Sequence, residues 1–366
     1  MAIYWVLLLL PSLGAVLAMN HFRACSNRYE PSQNATKTAS LTLGLFALFL
    51  VLVVGFRHEV GGDWFNYLNP LATAEDQTWF EGMVSASDPA YGLLTWLSAK
   101  VGGGIYLVNV ACAFVFVGGL LDYVRNSPQP WLMMCVAVPY LVIVVAMGYT
   151  RQGAAIGLAM VGLVALNKGQ LYKFAGWLIL AALFHKSALI MLPVAIFSGR
   201  KYWIALLGIL LVGAMMFILL LAEHVDNLVA GYITDEYASS GAGIRVAMNA
   251  VPAVIFLLFR NRFNLTPSQK SFWIWMSVVA LIFILLLVVS PSSTAVDRVA
   301  LYWIPLQLFV FSRLPQAMGQ SVGTQRQWVA VVVLYAFAVQ FVWLFYADHS
   351  YAWLPYQFYP WIWLWS

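Results

Sequence analysis

Apolar runs of about twenty residues recur along almost the whole chain and restrict the folds that it can adopt. The chain has 366 residues, of which 63% are hydrophobic and 9% are charged, and its mean hydropathy is +0.82. A membrane-spanning α-helix needs roughly 20 consecutive apolar residues. Because no soluble domain requires so much apolar surface, the composition indicates an integral membrane protein with many spans.

The apolar runs predict an all-α polytopic membrane protein with about 12 transmembrane helices. Three of these helices, at 171–185, 187–199 and 299–312, are short for a span and are expected to be tilted, broken or partly re-entrant. No repeat period and no long linker divides the chain, so residues 1–366 are expected to form a single membrane domain. The other predicted helices cover residues 2–19, 40–56, 104–123, 130–147, 151–167, 202–222, 246–260, 271–290 and 327–346.

The distribution of positive charge predicts the orientation of these helices. If alternate connections, beginning with 20–39, are cytoplasmic, they hold 13 of the 19 lysines and arginines but only two acids, Glu30 and Asp122. Positive residues accumulate in cytoplasmic loops, so both termini are predicted to lie outside, in a bacterial inner membrane. The first run has no basic residues before it, which favours a retained helix over a signal peptide.

Three larger segments fall on the predicted outer side. Residues 57–104 form the largest, and Tyr91 to Leu97 within it is expected to form an amphipathic helix at the membrane surface. Residues 223–245 form the second segment. The third, 347–366, is an aromatic tail whose four tryptophans suit either an anchor in the membrane interface or a platform on which sugars stack.

The six bases on the outer side are the first candidates for a functional site. Several of them lie at helix ends rather than in loops, and an arginine so close to hydrocarbon needs an anionic partner or ligand. Snorkelling or a structural ion pair would explain any one of them, and Asp297 and Arg298 form a local ion pair on the simplest interpretation. Four separate hairpins, however, bring cations to one level. The six are Arg57, Lys100, Arg151, Lys186, Arg245 and Arg298.

Two acids, Glu59 and Asp63, lie among these cations. Cations gathered beside carboxylates in a half-buried cleft can bind a pyrophosphate and leave one carboxylate as a base. The Gly61-Gly62 pair before Asp63 permits either a close approach of backbone to a ligand or an ordinary turn.

Other chemistries are poorly supported by the residues. No Walker-type phosphate loop, His-x-x-x-His or Cys-x-x-Cys spacing is present, so neither a nucleotide, a metal nor another cofactor is expected. The net charge of +5 is accounted for by the cytoplasmic loops, so no nucleic-acid partner is expected. The three cysteines form no disulfide framework.

An ordered series of motifs resembles the EpsG family of Wzy-like polymerases, which make bacterial exopolysaccharides and O-antigens. The resemblance spans nearly the whole chain, and the order and the loop placement of the motifs agree. It differs from the family pattern at Asp88, where glutamate is more usual before Pro-x-Tyr. The motifs are Arg57 with Gly62-Asp63-Trp64-Phe65-Asn66-Tyr67, Asp88-Pro89-Ala90-Tyr91, Arg151-Gln152, His185-Lys186-Ser187-Ala188-Leu189, and Arg298 with Tyr302.

This resemblance implies a GT-C-like glycosyltransferase, with interfacial helices, that acts on the periplasmic or outer face. Its substrates would be oligosaccharide repeat units on undecaprenyl pyrophosphate, used in capsule, exopolysaccharide or O-antigen synthesis. The short spans near 171–199 would leave a lateral opening for the lipid. A chain-length regulator and a flippase of the same pathway would be its partners, besides membrane lipid.

The site residues follow from the resemblance and from the residue types together. Asp63 or Glu59 is the expected base, with Asp63 favoured, and Glu59 would otherwise pair with an arginine. His185 would orient the sugar or phosphate. The residues expected to bind substrate or pyrophosphate are Arg57, Arg151, Gln152, Lys186, Arg245, Arg298, Tyr67 and Tyr302.

Two functions of other classes remain open from the sequence. A flippase for lipid-linked oligosaccharides would also have many spans and buried cations, but it should carry charges near mid-membrane and often shows repeat symmetry. A membrane-bound acyltransferase that modifies surface polysaccharide would need a histidine-based acid–base centre, for which His185 is the only candidate.

Overall fold

Helices form most of the computed structural model, which describes residues 1–19, 33–198, 241–290 and 293–365. The predicted helix 202–222 and most of the predicted outer segment 223–245 lie outside the described residues. Four helices precede the long helical core of the middle of the chain. They are α1 (Ala2–Ala18), α2 (Gln33–Gly55), α3 (Leu68–Ala74) and α4 (Trp79–Ser85).

The middle of the chain contains five α-helices and two irregular helical segments. The α-helices are α5 (Pro89–Lys100), α6 (Gly104–Arg125), α7 (Pro130–Ala137), α8 (Thr150–Asn167) and α9 (Leu171–Phe184). Helix α7 continues as a π-helix over Val138–Ala146, and a 3₁₀ helix over Lys186–Ser198 follows α9.

The last part of the described chain contains six α-helices. Its α-helices are α10 (Ala242–Phe259), α11 (Pro267–Val289), α12 (Ser293–Ala300), α13 (Ile304–Met318), α14 (Val322–Tyr346) and α15 (Tyr359–Trp365). Short 3₁₀ turns cover Phe65–Tyr67, Arg260–Arg262, Leu301–Trp303 and Ser350–Trp353.

Five helical units in the described residues are long and apolar enough to cross a membrane. The shorter apolar helices are Ala2–Ala18, Leu41–Gly55, Pro130–Ala146 and Leu171–Phe184. The chain is therefore a multi-pass, predominantly α-helical membrane protein. The five are Gly104–Arg125, Ala242–Arg262, Pro267–Val289, Ser293–Met318 and Val322–Tyr346.

The predicted short helix at 299–312 belongs to one of these longer units. The unit begins at Ser293, tightens into a 3₁₀ turn over Leu301–Trp303 and continues as α13 to Met318. Pro305 lies in the first turn of α13. Proline lacks an N–H and is best tolerated in the first turn of a helix, so the break before α13 places Pro305 at a favourable position.

A close crossing of α6 and α8 holds the centre of the molecule together. A β-carbon added to Gly119 would overlap the carbonyl oxygen of Gly157, and one added to Gly157 would lie 2.6 Å from the Cα of Phe116. Without side chains at these positions the two backbones touch. Small residues at such crossings permit the van der Waals packing that joins helices where no hydrophobic effect operates between them.

The aromatic tail is partly built into the core. The side chain of Trp353 is 2% exposed, its Nε1–H donates to the carbonyl of Ile143 at 2.7 Å, and its own carbonyl accepts from Tyr4 Oη at 2.6 Å. Trp361 and Trp363, by contrast, are 65% and 67% exposed. The tail thus combines a buried anchor with exposed indoles, a division that the sequence did not indicate.

A two-stranded antiparallel ladder joins the tail to the start of the large outer segment. Strand β1 (Arg57–His58) pairs with β2 (Gln357–Phe358), and the ring of Tyr359 stacks on Tyr106 with 3.5 Å between centroids. The ladder fixes the backbone immediately before the Glu59-to-Tyr67 stretch, although its two residue pairs add little sheet to an otherwise helical fold.

The predicted surface helix at 91–97 is present as part of α5. Its buried face carries Tyr91, Thr95 and Ser98, whereas Leu93 and Leu97 are 39% and 48% exposed. The polar face therefore packs inward and leucines point outward. This is the reverse of the arrangement in a soluble amphipathic helix and suits a helix in contact with lipid.

The α6–α8 crossing generates a test with an adjacent control. Gly119→Ala should lower the stability of the protein by about 1–3 kcal/mol, because its methyl group forces two backbones apart. Gly118→Ala, for which nothing lies within 4 Å of the added carbon, should be neutral or slightly stabilising. Thermal unfolding in detergent would measure both, and equal melting temperatures would contradict the proposed close packing.

Candidate functional site

An ion pair between Arg151 and Asp88 lies at the centre of the candidate site. Arg151 is in the first turn of α8, and its Nη1 is 2.8 Å from Asp88 Oδ2 and 2.8 Å from Ser87 Oγ. The Asp88 side chain is 4% exposed and that of Arg151 is 33% exposed. The pair supplies the anionic partner that the position of Arg151 requires.

Asp88 also connects a third part of the chain to this pair. Its second oxygen, Oδ1, accepts from the backbone N–H of Lys186 at 3.3 Å. One buried carboxylate thus fixes the start of α5, the start of α8 and the junction after α9. Asp88 was named in the sequence only as part of a motif and not as a site residue, although an acid directly before the Pro89 that opens a helix is a recognisable signal.

Two tyrosines flank the guanidinium of Arg151. Its central carbon is 5.7 Å from the ring centroid of Tyr67 and 5.7 Å from that of Tyr91. Such cation–π contacts stabilise and orient an arginine. Burial, with a smaller contribution from the Asp63 carboxylate, raises the pKa of Tyr67 to about 12, so this phenol stays protonated and can donate a hydrogen bond.

The junction between α9 and the following 3₁₀ helix carries a small polar chain. Ser187 Oγ is 2.7 Å from His185 Nδ1 and 3.2 Å from the phenol oxygen of Tyr302, which is fully buried. Desolvation of the His185 ring lowers its pKa to about 4, a shift that the nearby Asp88 only partly offsets. His185 is therefore neutral at physiological pH and acts through hydrogen bonds rather than charge.

Arg298 and Lys186 bring two further cations to this level. The guanidinium carbon of Arg298 is 5.1 Å from the ring centroid of Tyr149, and Gln152 Nε2 donates to the Arg298 carbonyl at 2.6 Å. Both side chains are partly buried, and within the described residues neither makes an ion pair. Their charges remain available to an anionic ligand.

Asp63 is a partly exposed carboxylate beside these groups. Its charge acts on both Tyr67 and Tyr149, and these rings in turn contact Arg151 and Arg298. Across the ranges that the structure describes, it takes part in no ion pair. A carboxylate without a committed partner can accept a proton or a hydroxyl hydrogen bond.

Arg57 is held by the protein itself. It is 1% exposed, and its guanidinium donates to the carbonyls of Val54 and Val60, to Asn109 Oδ1 and to Thr150 Oγ1 at 2.6 to 3.2 Å. The sequence placed it among the ligand-binding cations. Here its donors are directed at neutral oxygens, one of them on the residue before Arg151.

Asp297 forms its ion pair with Arg245. The sequence had suggested a pair between Asp297 and its neighbour Arg298. Arg245 Nε lies 2.6 Å from Asp297 Oδ1. The local-pair interpretation is wrong because consecutive residues on a helix point in different directions, whereas α10 and α12 lie side by side and bring Arg245 to Asp297. As a result, Arg298 is left to face Tyr149.

Glu59 lies apart from the arginines. Its carboxylate is 47% exposed, 3.8 Å from His58 Nε2, and in the part of the chain that the structure describes it forms no ion pair with arginine. Gly61, two residues on, has φ +109°, and a β-carbon there would overlap the Met147 carbonyl. A β-carbon at Gly62 would make only an ordinary contact with the Trp353 ring, at 3.9 Å, so only Gly61 is required by packing.

The described residues contain no group of three or more His, Cys, Asp or Glu side chains that could hold a metal ion. The functional groups gathered at one end of the helices are instead guanidinium and ammonium groups, phenols and carboxylates. Such a set can bind a multiply charged anion and accept a proton beside it.

The Arg151–Asp88 pair predicts different effects for two isosteric substitutions. Asp88→Asn should lower stability by about 1–3 kcal/mol, because it leaves Arg151 without its carboxylate; the exposed third of Arg151 keeps the loss below that of a fully buried pair. Asp63→Asn, at a carboxylate outside any described ion pair, should leave stability unchanged. Thermal unfolding of both variants in the same detergent would check this, and equal losses would contradict it.

His185 predicts a dependence of stability on pH. Its pKa of about 4 lies below the ordinary value of 6.5, so between these values the unfolded chain binds a proton that the folded chain does not. Stability should therefore fall as the pH drops from 6.5 towards 4, by about 1.4 kcal/mol for each unit of separation. The loss of stability on acidification should be smaller in His185→Gln than in wild type. Equal losses in the two proteins would contradict the assignment to His185.

Comparison with known proteins identifies the chain at the level of a family. Searches of curated proteins and of solved structures found no match. A comparison with protein-family models matches residues 40–358 to the EpsG family. This range includes every residue of the site described above, from Arg57 to Tyr302, and covers most of the chain. The protein is a member of the EpsG family.

Proposed function

We propose that the protein is a polysaccharide polymerase that joins oligosaccharide repeat units carried on undecaprenyl pyrophosphate. The observation that carries the proposal is the position of Asp63, a carboxylate outside any described ion pair, close to Tyr67 and Tyr149, the rings that contact the cations Arg151 and Arg298. Membership of the EpsG family supports a polymerase-like glycosyltransferase activity. A transfer of this kind needs both an acceptor base and neutralisation of an anionic leaving group.

The cations divide into two groups by their existing partners. Arg298 and Lys186 make no described ion pair and are the groups proposed to bind the pyrophosphate directly. Arg151 shares its charge with Asp88 and contributes through the exposed third of its side chain. Cations placed where negative charge develops lower the barrier most when they are fixed beforehand, as the contacts of Arg151 with Tyr67 and Tyr91 ensure.

In the proposed reaction, a hydroxyl oxygen of the acceptor sugar attacks the anomeric carbon of the donor sugar. The new glycosidic bond forms as the bond from that carbon to the pyrophosphate oxygen breaks. Undecaprenyl pyrophosphate leaves with the electron pair, and Asp63 takes the proton of the attacking hydroxyl. The charge that builds on the leaving group is stabilised by Arg298, Lys186 and Arg151.

Other predicted site residues are assigned supporting positions. Arg57 positions the start of α8 through Thr150, and Gln152 holds the last turn of α12 through the Arg298 carbonyl. Neutral His185, with Ser187 and Tyr302, orients a sugar or phosphate by hydrogen bonding. Tyr67 donates from a phenol that stays protonated, and Arg245 completes the site through Asp297.

The membrane arrangement is part of the proposal. We place both termini on the periplasmic or outer side of the bacterial inner membrane, with about 12 spans and a GT-C-like arrangement. The excess of lysine and arginine in alternate connections supports this orientation. A flippase and a chain-length regulator of the same pathway are the proposed protein partners, in capsule, exopolysaccharide or O-antigen synthesis.

One observation favours acyl transfer instead. Ser187 Oγ lies 2.7 Å from His185 Nδ1, which is the spacing of a nucleophile and its base. The pKa of about 4 makes His185 a weak base at neutral pH. Ser187→Ala separates the two functions, because an acyltransferase should lose all activity without its nucleophile, whereas a polymerase should lose only what this hydroxyl contributes to orienting the substrate.

The proposal predicts which carboxylate is essential for polymerisation. With purified protein and a lipid-pyrophosphate repeat unit, Asp63→Asn should reduce the ladder of products by about 100-fold or more, the usual contribution of a general base. Arg298→Gln should reduce it comparably, whereas Glu59→Gln should retain most activity.

Gel electrophoresis of the products and a melting temperature for each variant provide the measurement. Asp63→Asn is expected to fold as wild type does, so its loss of activity would be chemical. Full activity in Asp63→Asn together with loss of activity in Glu59→Gln would identify Glu59, not Asp63, as the base. No ladder from folded wild type with authentic substrate would contradict a polymerase and favour a flippase.

A further inference from the structure

An apolar cavity lies between α10 and α14 on the side of the molecule that contains Arg245. Its volume is about 480 Å³, which falls within the range of roughly 300–1,000 Å³ typical of ligand sites. The α10 wall carries Ile244, Met248 and Val251, and the α14 wall carries Val342 and Tyr346. Residues three or four apart lie on one face of a helix, so two continuous apolar stripes face each other across the cavity.

The cavity is open at its side. Val251 and Val342 are 52% and 42% exposed, although both line it. Ile244 and Tyr346, near its outer end, are 61% and 73% exposed. In a membrane-spanning part of the chain, such exposed apolar walls face hydrocarbon rather than water, so a hydrophobic chain can enter sideways from the bilayer.

One end of this cavity is polar and adjoins the candidate site. Arg245, in the first turn of α10, lines it together with Asp348 and His349, just beyond the end of α14. Arg245 holds Asp297, and the next residue, Arg298, faces Tyr149. The charges of Arg298 and Arg245 both act on Tyr149, so the polar end and the proposed pyrophosphate site share a neighbour.

We infer that this cavity holds the isoprenoid chain of the lipid-linked substrate, with its pyrophosphate at Arg298. The apolar stripes match a long hydrocarbon. Arg245 lines the polar end and pairs with Asp297, and the next residue, Arg298, is the cation outside any described ion pair that an anionic head group would meet. The opening of this cavity lies between α10 and α14 and is distinct from the one that the short predicted spans suggested beside residues 171–199. The identity of the head group rests on the proposed function, whereas the apolar cavity does not.

Photolabelling tests this inference without turnover. Purified full-length protein would be incubated with a polyprenyl pyrophosphate that carries a diazirine in its chain, irradiated, digested and analysed by mass spectrometry. Labels are expected on α10 and α14 peptides. Undecaprenyl pyrophosphate should compete at a concentration at least about tenfold lower than phosphatidylglycerol, which corresponds to a preference of about 1.4 kcal/mol.

A matched pair of substitutions provides a second test of the lipid site. Val251 lines the cavity, whereas Val254 lies one turn further along α10, is 44% exposed and does not line it. Val251→Trp should fill the cavity and lower photolabelling and apparent affinity for the lipid substrate by about tenfold. Val254→Trp, the same change on the same helix, should leave both within about twofold.

The outcomes separate this inference from the proposed polymerase. Labelling elsewhere in an enzyme that still polymerises would overturn the lipid site and leave the polymerase intact. Competition by phosphatidylglycerol as effective as by undecaprenyl pyrophosphate would also overturn it, because the cavity would then be a general lipid groove. Selective labelling of α10 and α14 in a protein that makes no ladder would support the site and contradict the polymerase.

Discussion

The ion pair between Arg151 and Asp88 is the interaction on which the rest of the candidate site depends. A guanidinium at the end of an apolar helix is costly unless an anion compensates it, and a carboxylate that is 4% exposed is costly without a cation. The remaining oxygen of Asp88 accepts from the Lys186 backbone. Satisfying these two charges therefore joins three segments that are far apart in sequence, and it orients Arg151 between two phenols.

The charged groups have different roles, depending on which partner compensates each charge. Arg57 is satisfied by neutral oxygens and Arg245 by Asp297, so both help to hold helices in place. Arg298 and Lys186, outside any described ion pair, retain charge for an anionic ligand. Because Arg298 is already held over Tyr149, it would need little reorganisation to meet the charge of the proposed substrate.

The apolar cavity beside this site is proposed to bind the lipid part of the substrate. A carrier with a charged head and a hydrocarbon tail needs cations and apolar walls at one boundary. Arg245 lines the polar end of the cavity, and its partner Asp297 is the residue directly before Arg298. This arrangement would let the head group reach the cations while the chain remains in contact with the bilayer, without a route through water.

The sequence alone determined the helical membrane architecture, because apolar run length and the positions of lysine and arginine are local properties. It also identified Arg151, His185 and Arg298 as residues at helix ends, where charge needs an explanation. Only the tertiary structure decided which charges compensate one another: Asp88 with Arg151, and Asp297 with Arg245 instead of Arg298. Ion pairing depends on distances between side chains of separate helices, and no spacing along a single chain encodes these distances.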